Sequence, residues 1–443
     1  MPITAYQVPG VYMEEVSTGA KPIQPVGLSI AAFLGIAPNA NAYVNQAVPV
    51  DSLSKFTKLF IPQDAPFSNV FSLAVKGFFD NGGQQCYIVN LGPDGNLAGT
   101  DSPRTGIKVL EEIDEISIVA APGLTGPAVF DALLTHCATC RYRMPILDYP
   151  VEVGSNLELI KKVATLPAPD AQRALPPAGG KTSSKSRGDS GDGDLAKTTS
   201  ADLAKNGSAD SKNANGEPEP NGYRPPNSKL GRGTVYFPSL RVSDPYAPNQ
   251  YPLIPPSGHM AGIWSRTDTL RGVQKAPANE TVYGALGLGY GLTDAEQAQL
   301  NPLGINCIRR FEGGIMVWGA RTIADGSSDM RYLNVRRLMD MLEKSILKST
   351  SWIVFEPNTE SLWKRVRHSV SDFLMRVWRD GALMGATPEE AFFVKCDRET
   401  NPPEEVDAGV LTILVGVAPV KPAEFVVFRI GQTASGPQIG LNT

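Results

Sequence analysis

Cysteine is scarce in this chain: five in 443 residues, an odd and scattered set, which fits a reducing compartment better than a disulfide scaffold. Histidine is scarcer still, at three, and none has a recognisable nucleophile elbow to serve, so no catalytic constellation emerges. Long apolar runs are missing too. The longest, 28–37 and 410–420, fall well short of the roughly 20 residues needed to cross a bilayer, so membrane insertion is not expected. The N-terminus, MPITAYQVPGVYMEEV, carries acids where a secretory leader would be apolar and has no basic residue before Lys21. Retention in the cytoplasm after synthesis is the expectation. Charge of one sign is also lacking: 41 Lys plus Arg against 45 Asp plus Glu gives −4, and no general attraction to nucleic acid or an acidic membrane follows.

What is present is an ordinary globular composition, 42% hydrophobic and 19% charged, in a chain long enough for two or three domains. Residues 6–16 (YQVPGVYMEEV) alternate apolar and polar around a Pro9-Gly10 break and read as an extended arm. Such a strand has no core of its own and must pair with a sheet, in its own subunit or a neighbour's. From Leu28 the pattern tightens: strands at 28–37, 85–90, 116–121 and 144–149 alternate with helices at 69–79 and 128–140, which favours α/β layers. Between about 166 and 226 the composition turns to Gly, Ser, Asp, Lys, Asn, Ala and Pro, and reads as a flexible, exposed insertion. Within it DLAKTTSA (194–201) is nearly repeated by DLAKNGSA (202–209), a local duplication far shorter than a solenoid repeat. A strand at 234–242, a helix at 258–269, a glycine-rich 284–291 and a helix opening at Thr293 with Glu296 as its capping-box partner follow.

The stretch 304–432 is the densest in pattern. Val335, Leu338, Met339, Leu342 and Ile346 make one apolar helical stripe, and Arg331, Arg336, Arg337, Lys344 and Lys348 make that helix strongly basic. Residues 351–356 (SWIVFE) have the β-branched and aromatic enrichment of a strand, stopped by Pro357. A second helix repeats Leu362, Val366, Val370, Phe373 and Val377, with Gly381 placed for a left-handed cap. Closing strands are expected at 391–396, 410–417 and 424–430.

Three motifs imitate chemistry without its context. Gly180-Lys181-Thr182 ends like a phosphate loop, but Leu175 stands where the first glycine belongs and no strand precedes it. The run GLGYG (287–291) has no β-α-β frame or acidic ribose partner, and a packed turn is the simpler reading. His136-Cys137-x-x-Cys140 has zinc-like spacing but no further paired ligands, and a helix interior explains it. No catalytic residue, metal or cofactor is expected. The basic helices lack the aromatic interleaving of nucleic-acid binders; a solvated face or a specific acidic protein partner remains.

PGVYMEE (9–15), GINCIRRFEGGIMVWGARTI (304–323), RYLNVRRLM (331–339), IVFEPN (353–358), LWKRVRHSVSDFL (362–374) and VGVAPVKPAEFVVFRI (415–430) closely resemble contractile tail sheath proteins, as found in phages, tailocins and extracellular contractile injection systems. The resemblance implies a mixed α/β, multi-domain fold: an inner C-terminal α/β domain with extended N- and C-terminal arms, and an outer inserted α/β domain. The corresponding divisions are an arm at 1–26, the inner-domain start at 27–90, the outer domain at 91–257 with a loop at about 168–228, the inner domain at 258–420 and the C-terminal arm at 421–443. It also implies a helical homo-oligomer of stacked, six-fold rings around an inner tube protein, with baseplate and terminal cap proteins as further partners. Assembly would take place in the bacterial cytoplasm, before the particle functions as a phage tail or is released. Strand-adding residues would be Tyr6, Val8, Val11 and Tyr12 in one arm and Phe425, Val427, Phe428 and Ile430 in the other. Candidates to face the tube are Arg336, Arg337, Lys344, Lys348, Lys364, Arg365 and Arg367. A passive filament or tube protein, and an α/β enzyme using the middle of the chain, are the alternatives.

Overall fold

The computed structural model describes residues 22–153, 156–165 and 221–424. The arm residues at 6–12 and 425–430, and the phosphate-loop look-alike at 180–182, lie outside the described residues. The first strand, β1 (Ala31–Gly35), is buried along its whole length. It is followed by β2 (Ala47–Val50), α1 (Leu53–Phe60), α2 (Val70–Asp80) and β3 (Cys86–Asn90). Next come β4 (Ile118–Ala120), α3 (Pro127–Thr139), β5 (Met144–Leu147) and the short α4 (Leu157–Lys161). Beyond residue 221 lie β6 (Thr234–Phe237), β7 (Leu240–Val242), β8 (Leu253–Ile254), α5 (Ser257–Arg271), β9 (Glu280–Thr281), β10 (Ala285–Leu288), α6 (Asp294–Leu300), β11 (Ile305–Phe311) and β12 (Gly314–Trp318). The chain closes with α7 (Leu333–Ser349), α8 (Glu360–Arg379), α9 (Pro388–Ala391), β13 (Phe392–Lys395), α10 (Pro403–Asp407) and β14 (Leu414–Val417).

Nine strands form one sheet in the order β2-β3-β1-β4-β5-β6-β11-β12-β9. The run from β3 to β11 is parallel, and β2, β12 and β9 pair antiparallel at its two sides. A parallel sheet is stable only when both faces are covered, and the period-two alternation of β1 divides accordingly. Ala31 and Phe33 point into a core shared with α1, α2 and α5, whereas Ala32 and Leu34 point into a core shared with α3. On the first face α5 lies close against α2, because a Cβ at Gly258 or Gly262 would collide with backbone atoms of Ala74 and Phe78. A third core combines α7, α8, β13 and β14 with Ile23 and Leu28. The sheet runs across the boundaries expected at 90 and 257, since β1 pairs with β4 and β6 pairs with β11.

Several expectations have clear counterparts. Thr293 and Glu296 form the capping box of α6, and Gly381 takes φ 76° just past α8, where the Ala382 amide donates back to the Val377 carbonyl. The glycine-rich 284–291 region is not simply a turn: Ala285–Leu288 is a bulged strand beside β7. Residues 351–356 are not a strand either. Ser351–Ile353 is a 3-10 turn in the connection between α7 and α8, and among the described residues no strand lies beside it to accept its backbone. At the base of the 166–220 stretch the chain is zipped to itself. The Ala164 amide donates to the Arg224 carbonyl (2.7 Å), the Arg224 amide to Lys162 (2.8 Å) and the Asn221 amide to Thr165 (3.1 Å).

Candidate assembly surfaces

β13 and β14 form a hairpin-like sheet of only two strands, and among the described residues neither outer edge pairs with a further strand. One side of it rests on the third core through Phe392, Val394, Val415 and Val417, while Phe393 and Leu414 face outward, about half exposed. An isolated two-stranded sheet is marginal in water, and open edges with apolar outward residues are templates for strand addition. The chain passes directly from β14 to the C-terminal root, where the Met384 amide donates to the Ala418 carbonyl and Val420 to Ala382. Asn334 Nδ2 donates to the Val420 carbonyl, and Arg321 binds the Glu424 carboxylate through Nε and Nη2.

The seven basic residues separate into two groups. Arg336, Arg337 and Lys344 are buried, at 6%, 2% and 3% exposure, and this corrects the expectation of an open basic face on α7. Arg337 makes a two-pronged pair with Asp268 on α5, donates to the Leu28 carbonyl and sits 4.9 Å from the Trp264 ring centre. Arg336 and Arg232 share the buried Asp340, at 2.7 Å and 3.1 Å. Lys344 donates to the Asp114 carbonyl, and burial pushes its ammonium pKa down. These charges join α7 to the large sheet's helices and loops. Their partners were partly legible, since Asp340 lies four residues after Arg336, the helical pairing distance. Asp268 and Asp114 carried no such signal.

Lys348, Lys364 and Arg367 are exposed, and Arg365 is half-buried, 3.4 Å from Glu356 and over the Trp352 ring. They flank the α7–α8 connection and the solvent side of α8. The other sequence features are structural. His136 Nε2 meets the Arg143 guanidinium at 2.7 Å, and burial pushes the Cys137 thiol up to about 12, so neither is presented as a ligand or nucleophile. His368 lies on the outside of α8, 3.3 Å from Asp372. A cavity of about 690 Å³ lies between α6, β12 and the C-terminal root, lined by Lys275, Asp294, Arg309, Trp318, Asn334 and Glu424 among others. Its best-placed charges, Asp294 and Arg309, already pair with each other.

Two family models match: the phage tail sheath protein central domain over residues 204–323 and the phage tail sheath C-terminal domain over 325–433, together more than half of the chain. The tail sheath protein of Burkholderia phage BcepMu is 31% identical over 196 residues, 42% of this chain and 40% of that one. That of Vibrio phage KVP40 is 26% identical over 186 residues, 41% of this chain and 27% of that one. The chain thus spans less than half the length of these curated relatives. Among solved structures, the sheath of the extracellular contractile injection system PVC, in its contracted state, superposes with TM-score 0.68 at 25% identity over 98% of this chain and 99% of that one. The contracted helical sheath of the anti-feeding prophage gives 0.65 at 27% identity over 97% and 100%. The mixed α/β fold agrees with these matches, and the chain belongs to the phage tail sheath family.

Proposed function

We propose that this chain is the structural subunit of a contractile sheath, which polymerises helically around an inner tube and drives it through a target envelope by contracting. The observation that carries this reading is the β13–β14 sheet, two strands with both outer edges unpaired among the described residues. Main-chain addition of a neighbour's extended arm would complete it. The arms in question are those with Tyr6, Val8, Val11 and Tyr12 and with Phe425, Val427, Phe428 and Ile430. Likeness across nearly the whole chain to sheath subunits in the contracted state supports the mechanical part.

In this reading the module of α7, α8, β13 and β14 forms the inner layer, and the large sheet lies outward. Lys348, Lys364, Arg365 and Arg367 face the tube. Rings are six-fold, baseplate and cap proteins bound the stack, and subunits assemble in the bacterial cytoplasm before serving in a tail or released particle. The chain performs no catalysis. Energy for contraction comes from the lattice: if the contracted form buries about 200 Å² more apolar surface per subunit, that would contribute roughly 5 kcal/mol, before ordering and desolvation costs. Electron microscopy of the chain co-expressed with its tube protein tests this. A long, thin form and a short, wide form are expected. One lattice geometry under all conditions would instead make the chain a passive filament.

A further inference from the structure

The nine-stranded sheet ends at β2 and β9, and its two outer edges are closed by different devices. Just past β3 the Leu91 amide donates to the Gly35 carbonyl of β1, whereas the Asn90 carbonyl accepts from the Asn45 amide on the β2 side. Backbone groups of successive strand residues point in opposite directions, so Cys86, Ile88 and Asn90 face β2. Val50 and Val48, opposite Cys86 and Ile88, therefore direct their backbone groups to β3, and Ala47 and Pro49 turn theirs outward. Pro49 is exposed on this edge and presents a carbonyl there but no N–H. An incoming strand would meet an incomplete ladder.

At the other end the Val282 amide donates to the Ile315 carbonyl of the β12 strand, so Thr281 and Tyr283 face outward. Side chains occupy their backbone groups. Arg266 Nη2 donates to the Thr281 carbonyl at 2.8 Å. Buried Asn81 accepts from the Tyr283 amide through Oδ1 and donates to the Tyr283 carbonyl through Nδ2, both at 2.9 Å, as a neighbouring strand's backbone would.

β14 contrasts with both ends. The Ala418 amide donates to the Ala391 carbonyl, which turns Leu414 and Gly416 toward β13 and Val415 and Val417 away from it. Among the described residues the outward amides and carbonyls of Val415 and Val417 have no partner.

We infer that Pro49 at one end, and Asn81 with Arg266 at the other, are specificity devices that bar extended arms from the large sheet and direct strand addition to the β13–β14 sheet. This goes beyond the proposed function and rests on its reading of the arms as added strands. Subunits crowded in an array would otherwise offer each arm several edges, and a strand added to the wrong one would carry its subunit out of register.

Hydrogen exchange in the full chain tests this, comparing dispersed subunits with sheaths grown on the tube protein. Assembly should slow the amides of 414–417 by roughly tenfold or more and leave those of 45–50 unchanged. Slowing at 45–50 would place a partner on the β2 edge and overturn the inference. Sheaths in which 414–417 are not slowed would instead remove the added-strand reading itself, and the inference with it. Pro49→Val restores the missing donor. It should melt within about 4 °C of the parent but lose regular sheath to irregular aggregate by roughly fivefold or more, the scale of one main-chain hydrogen bond. Adding Ala47→Pro removes the other outward donor and should recover the yield. Parent-like yield from Pro49→Val alone overturns the block at Pro49. A loss that Ala47→Pro does not recover belongs to folding and overturns it as well.

Discussion

Arg321 and Glu424 tie the C-terminal root to the large sheet: Nε lies 3.0 Å from one carboxylate oxygen, Nη2 holds the other, and both side chains are mostly buried. Arg321 follows β12, and its amide donates to Asn306 Oδ1 on β11, so the guanidinium is fixed to the sheet before it grips the carboxylate. The pair thus holds the chain after β14 against the large sheet.

Arg321→Ala is accordingly expected to cost the subunit about 1–2 kcal/mol in urea unfolding, the scale of a charge-assisted hydrogen bond at a partly wet site. Sheath yield, counted by negative-stain microscopy, should fall far more than the folded fraction does. Yield that merely tracks folded protein would leave the pair with a stabilising role alone.

Arg337 and Lys348 lie on the same helix and should respond oppositely to charge reversal. Arg337→Glu puts a carboxylate against buried Asp268, and breaking such a pair costs about 3–5 kcal/mol. Lys348→Glu, at an exposed position, should change stability by under about 0.5 kcal/mol and act only on tube binding. Thermal melts of the unassembled variants separate the two; equal destabilisation would contradict the division into joint and surface.

Asp148 gives the fold a pH dependence of definite sign. Its carboxyl accepts from the Ser257 hydroxyl and from the Ser257 and Gly123 amides, but burial dominates and pushes its pKa up to about 7. The folded state thus binds this proton more tightly than the unfolded state. The contribution is most favourable below the ordinary carboxylate pKa, declines by at most ~1.4 kcal/mol per pH unit up to about 7, and is flat above. His136 and His259, pushed down to about 4 and about 3, oppose it on the acid side, so the readout is the difference between parent and Asp148→Asn. That variant should gain on the parent from pH 5 to pH 8. A constant difference would mean Asp148 does not titrate there.

Deleting the residues before Val16 should leave a subunit that folds, because the described residues from Ile23 onward already build three cores. It should not polymerise. Circular dichroism checks the first statement and negative-stain microscopy the second; normal sheaths from the truncated chain would sink the linked-arm mechanism.

The sequence was most legible where burial is continuous. β1, β3 and β4 lie in apolar runs, and the stripes Leu338–Leu342 and Leu362–Val377 met the third core as their spacing required. Pairings between distant segments, such as β6 beside β11, had no local trace, so the single sheet runs across the divisions that the resemblance implied. Arg337 and Lys344 misled for a physical reason: a charged residue reads as solvated unless its partner is near in sequence, and Asp268 and Asp114 are not. Phe355 misled in the other direction. Its β-favouring neighbours read as a strand, whereas the ring belongs to a turn that leaves it outside.

The zipper between 162–165 and 221–224 makes the intervening length nearly free: each doubling of a closed loop costs only about 0.6 kcal/mol. Duplications such as DLAKTTSA followed by DLAKNGSA therefore meet little resistance from the scaffold. The same base offers a graft point, where a foreign domain with neighbouring termini could replace 166–220 and be carried in every copy of a repeating array.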